Sequence, residues 1–149
     1  MRTKHLIIAG LAAVATPALA TEGQFGTTQE AHAMLERAID ALKTDGLAAT
    51  KKFNFNGEPF RDRDLFVFCF GKKDGVFTAH EAMVGRNISE FHDRAGKAMF
   101  EEMDRIAQPS QISEVSFLSP VPGTTRNATR LAYIAAIGDQ VCGVSAFQD

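Results

Sequence analysis

The sequence has no tryptophan, a single tyrosine and only two cysteines, and each shortage closes off a class of protein. Cys69 and Cys142 are too few and too far apart for a C-x-x-C redox motif, a haem-attachment motif or a four-ligand zinc site. Lys and Arg number 16 against 18 Asp and Glu, so there is no basic excess to recruit a nucleic acid. No apolar run after the first twenty residues is long enough to cross a hydrocarbon core of about 30 Å. Internal repeats and low-complexity tracts are absent as well. Neither Ser89 nor the cysteines sit in a nucleophile motif, so the chain does not read as an enzyme and calls for no cofactor.

What is present begins with an export signal. "MRTKHLIIAGLAAVATPALA" has a basic start at Arg2 and Lys4, an apolar run from Leu6 to Val14, and a small-x-small ending at Ala18-Leu19-Ala20. Cleavage after Ala20 is expected, leaving one domain over residues 21–149 in the periplasm or outside a bacterial cell. Losing Arg2 and Lys4 takes the basic residues from 16 to 14 against 18 acids, a charge near −4. The matured chain is expected to be soluble and able to bury a core without a metal: 45% of the sequence is hydrophobic and twelve residues are Phe. The two cysteines are then either inert buried thiols or one disulfide. Their strand-like surroundings, the even count and the oxidising compartment favour the disulfide.

Hydrophobic periodicity sets the order of elements. Thr27 and Glu30 form a capping-box pattern ahead of a helical stripe of Ala31, Met34, Leu35, Ala38, Ile39 and Leu42. Gly46 reads as a left-handed terminator, and "LAATKKF" as a second, short helix. From "DLFVFCF" the period becomes two. Lys73-Asp74-Gly75 turns that strand into "VFTAHE", making a hairpin. "DRAGKAMFEEMDRIA" returns to helical spacing, and "ISEVSFLS", "TRLAYIAAI" and "QVCGVSAFQ" close the chain as a meander. The expected class is α+β, with a long N-terminal helix on a five-stranded antiparallel sheet. Asn87-Ile88-Ser89 and Asn127-Ala128-Thr129 match a glycan acceptor pattern and are taken as chance.

These pieces, in this order, resemble the second type of single Cache domain, an extracellular PAS-like sensor module. The resemblance rests on "NGEPFRDRDLFVFCF", the "AHEAMVGRN" strand end and loop, "DRAGKAMFEEM", "FLSPVPGTT", "LAYIAAIGD" and "QVCGVSAFQ", and it spans nearly all of residues 25–149. It implies the strand order 2-1-5-4-3 and a small-molecule pocket beneath the segment between the second and third strands. That order sets the Cys69 strand beside the Cys142 strand, where directly opposed residues lie within disulfide range. The family often carries a Trp before its Pro-x-Pro-Gly turn, where this chain has Leu118-Ser119, so the ligand class does not carry over.

Candidate site residues cluster after the second strand: His80, Glu81, Arg86, His92 and Asp93. Adjacent His80 and Glu81 point to opposite faces of an extended strand, which argues against a metal centre. A ligand-binding lip suits them better, with His80 and Arg86 facing a Phe-walled cavity and Arg86 able to pair a carboxylate. The plain reading of each stands beside it: a histidine bonded to backbone and a solvated arginine. Arg130 and Tyr133, three apart on one strand, face opposite ways, so only one lines the pocket; Tyr133 is preferred, against the plain reading of a core tyrosine. The function that follows is an exported, non-catalytic sensor module for a small anionic or polar organic ligand, passing its signal to a separate membrane partner. The rival is an interaction module of the same fold, its pocket self-filled, acting through a partner or as a homodimer through the long helix.

Overall fold

The computed structural model describes residues 23–55 and 57–148, so the expected signal peptide at 1–20 lies outside the described residues. The first helix, α1 (Thr28–Thr44), starts as its capping box dictates. Thr27 Oγ1 accepts from the Glu30 amide at 3.1 Å and Glu30 Oε2 accepts from the Thr27 amide at 2.7 Å. Its buried residues are the six of the predicted stripe. The end of α1 differs from the expectation. Asp45 leaves the helix in an extended conformation and its carboxylate accepts from the Ala48 amide at 3.0 Å, capping α2 (Gly46–Asn54). Gly46 is therefore the first residue of a new helix rather than a left-handed stop.

Two short strands, β1 (Arg61–Asp62) and β2 (Leu65–Phe66), make a small ribbon before the main sheet. The main sheet holds β3 (Phe68–Gly71), β4 (Phe77–Ala79), β5 (Ser113–Pro120), β6 (Asn127–Ile137) and β7 (Gln140–Phe147). It is antiparallel, in the order β4-β3-β7-β6-β5, which is the expected order when the five strands are counted alone. Gly75, at φ 67°, makes the β3–β4 turn. Cys69 and Cys142 stand directly opposite each other on β3 and β7, and a disulfide joins them with Cα atoms 4.1 Å apart.

Strand alternation divides the core into two layers. One face of the sheet turns Cys69, Leu131, Tyr133, Ala135, Cys142 and Val144 toward α1 and α2, where Leu65 of β2 and Val67 join them. The other turns Phe68, Phe70, Phe77, Val115, Ala132 and Ile134 toward the segment between β4 and β5. That segment carries a single 3-10 turn, Ile88–Glu90, and the helix α3 (Met99–Ile106). The helical pattern from Asp93 overstates α3. Gly96 is left-handed at φ 85°, and Asp93 Oδ1 accepts from the Ala95 and Lys97 amides, both at 2.8 Å. Such an aspartate turn competes with the helix for the same amides.

Candidate functional site

The segment between β4 and β5 does not fill the space above the sheet. A cavity of about 460 Å³ remains there, within the range that holds small organic ligands. Its floor is aromatic. Phe68 projects from β3 and lies across Gly143, where an added Cβ would sit 2.6 Å from Phe68 Cζ and 2.7 Å from the Tyr133 carbonyl oxygen. Phe66, Phe77 and Phe117 continue the wall from neighbouring strands, and Phe91, Met99 and Met103 close it from above.

His80 lies on this wall, just past the end of β4. Asn54 at the end of α2 holds the strand end: its amide donates to the Thr78 carbonyl at 2.9 Å, and its Oδ1 accepts from the His80 amide at 3.2 Å. The imidazole packs edge-on against Phe66 and Phe77, with centroids at 4.9 and 4.8 Å. Burial pushes its pKa down to about 4 despite the opposing charge of Glu81. The ring is neutral at ordinary pH. Nδ1 accepts from the Ala82 amide at 3.0 Å, so the proton sits on Nε2 and makes that atom a donor.

Arg86 is placed elsewhere. Its side chain is 57% exposed, pairs with Glu90 at 3.3 Å, and covers the outer side of Phe91 at 4.7 Å from the ring centroid. It backs a cavity wall without lining the cavity. Tyr133 is buried on the helix-covered face of the sheet, its ring 5.0 Å from that of His32. The parity argument for β6 stands, but the residue that faces the cavity is Arg130. The reason is which face α1 covers: it takes Leu131, Tyr133 and Ala135, leaving the even-numbered positions to the cavity. The other members of the expected cluster also part company. Glu81 pairs with Arg61, whereas His92 and Asp93 reach the cavity rim.

Arg130 is the half-buried cation of the site, its side chain 11% exposed. Nη2 donates to Asp64 Oδ2 at 3.1 Å and to the Ser145 carbonyl at 2.7 Å, and Nε donates to Ser145 Oγ at 3.2 Å. Its guanidinium stacks over Phe147 at 4.4 Å. Burial lowers its pKa and the Asp64 charge opposes that shift. Asp64 Oδ1 accepts in turn from the Gly26 amide at 2.7 Å, so one carboxylate joins the cavity wall to the lead-in of α1. On the rim, Asp93 Oδ2 accepts from the Leu118 amide of β5 at 2.9 Å, and the Arg94 amide donates to the Leu118 carbonyl at 3.0 Å. Hydrogen bonds from the Leu118 and Lys97 amides hold the Asp93 carboxyl below its usual pKa. The sequence signal for Arg130 was a lone cation in an apolar strand; Ser145 carried none.

Among the described residues, no group of three or more His, Cys, Asp or Glu could hold a metal ion. No helix among them is long and apolar enough to cross a membrane.

A helix laid across one face of a five-stranded antiparallel sheet, with a cavity under the cross-over segment on the other, defines the Cache fold. Among the solved structures that share it are two sensor domains. One is a Cache chemosensory domain whose structure accounts for carboxylic acid recognition: TM-score 0.55, 19% identity, 81% of this chain and 88% of that one. The other is the periplasmic sensor domain of a chemotaxis protein: TM-score 0.56, 17% identity, 81% of this chain and 90% of that one. No family model matches the chain, and no curated protein matches it in sequence.

Proposed function

We propose that the protein is an exported Cache-type sensor module that binds a small organic anion or polar molecule without transforming it. The observation that carries this reading is the cavity of about 460 Å³, with His80 and Arg130 set in a phenylalanine wall. The fold it shares with a carboxylic acid-recognising domain is the reason to put carboxylates first among candidate ligands. Residues 1–20 are cleaved as a signal peptide in this reading, residues 21–149 act in the periplasm or medium, and a separate membrane partner receives the signal. Arg86 and Tyr133 act indirectly, Arg86 by backing Phe91 and Tyr133 by packing beneath α1. The rival interaction module calls for a filled pocket and an exposed apolar stripe on α1. The cavity is open and the six stripe residues are buried, which favours the sensor.

Thermal shift across organic acids, amino acids and amines tests the binding reading. A ligand at a hundredfold excess over its Kd should stabilise the protein by about 2.7 kcal/mol. No shift from any compound would transfer support to the interaction module. N-terminal sequencing of protein recovered from periplasm or medium should begin at Thr21; an intact Met1 in a membrane fraction would refute the export assignment.

A further inference from the structure

We infer that the cavity selects a carboxylate with a bulky apolar body and no ammonium group, such as an arylalkanoate or a medium-chain acid. This rests on the proposed ligand-binding function and narrows it by charge, size and polarity.

The head group is set by which polar atoms are already committed. Asp64 gives Oδ2 to Arg130 and Oδ1 to the Gly26 amide. Asp93 gives Oδ1 to the Ala95 and Lys97 amides and Oδ2 to the Leu118 amide. Glu81 is paired with Arg61. Every carboxylate around the cavity thus already accepts from a cation or from backbone amides, so a buried ammonium would have to share an acceptor in use. The donors are in the opposite state. Arg130 uses Nε and Nη2, leaving Nη1 without a partner among the described residues. His80 uses Nδ1 as an acceptor, leaving Nε2–H. A wall with free donors and only shared anionic acceptors fits a carboxylate head.

The body is set by volume and lining. An apolar cavity of about 150 Å³ takes a benzene ring, and this one holds about 460 Å³. There is room for up to roughly eighteen non-hydrogen atoms on that scale. Phe66, Phe68, Phe77, Phe91, Phe117 and Met103 surround that space. Acetate would leave most of this surface wet, whereas a phenyl or heptyl body would cover it.

The test is calorimetric titration of the purified protein at pH 7 with five probes: 3-phenylpropionate, octanoate, acetate, phenylalanine and 2-phenylethylamine. The two apolar acids should bind, with the other three weaker by roughly tenfold or more, as expected when a head or body loses its counterpart. His80→Phe should weaken 3-phenylpropionate by roughly tenfold through loss of one donor. Arg130→Gln should weaken it more, but that variant also strips Asp64 of its partner, so the ranking of probes on the unaltered protein decides the matter. Acetate or phenylalanine binding as tightly as 3-phenylpropionate would overturn the selectivity and leave the sensor reading standing. Amine binding alone would overturn the charge assignment. Silence from all five probes would overturn the selectivity, and the sensor reading would then stand or fall with the wider thermal-shift panel.

Discussion

His80 is neutral because its ring is wedged between Phe66 and Phe77, and this has a measurable cost in acid. Its folded pKa of about 4 lies below the ordinary 6.5, so the unfolded chain takes up the proton first. The associated stability is full above about pH 6.5 and is lost as the pH falls toward 4. With allowance for partial exposure of the ring, the loss should be on the order of 2 kcal/mol. Urea melts at pH 7 and pH 4.5 should show that loss in the parent protein and lack it in His80→Phe. Equal pH slopes in both would mean that the ring is not desolvated. Arg86→Ala should change stability by less than about 1 kcal/mol, because its pair with Glu90 is exposed. A larger loss in the same melts would contradict that placement. At this scale the sequence was half legible. Alternation separated Arg130 from Tyr133, but "LAYIAAI" is apolar on both faces, so nothing local said which face α1 would cover.

Elements with their own hydrogen-bonding signature were readable, and those decided by competition were not. Thr27 and Glu30 announced the start of α1 because a capping box is built from side chains four residues apart at most. Asp45 was misjudged through its neighbour: a glycine beside an aspartate suits a helix stop, yet the aspartate carboxylate started the next helix instead. Asp93 posed the same problem at the rim. Its carboxylate accepts three amides, two within its own loop and one on β5, and so ties the cross-over segment to the sheet. Asp93→Ala should lower stability by about 1–3 kcal/mol and speed amide exchange at Ala95, Lys97 and Leu118. Ligand release should quicken as the rim loosens. Unchanged exchange at those three amides would remove Asp93 from that role.

The whole molecule is stapled on one side and hollow on the other. The Cys69–Cys142 disulfide is fully buried beneath α1, while the cavity occupies the opposite layer. Replacing both cysteines with alanine should cost up to roughly 4 kcal/mol in urea melts, given a loop closed across 73 residues. Ligand affinity should change little, since neither sulfur touches the cavity. Two thiols labelled under denaturing, non-reducing conditions, in protein from an oxidising compartment, would show that the bond does not form.

The position of Tyr133 gives the protein a native optical gauge. It is the only tyrosine, tryptophan is absent, and its ring sits against His32 on the far side of the sheet from the cavity. A ligand held among the phenylalanines cannot quench it by contact. Any change in its emission on ligand addition would therefore report displacement relayed through one layer of strands to α1. A constant signal under saturating ligand would confine the response to the cavity side.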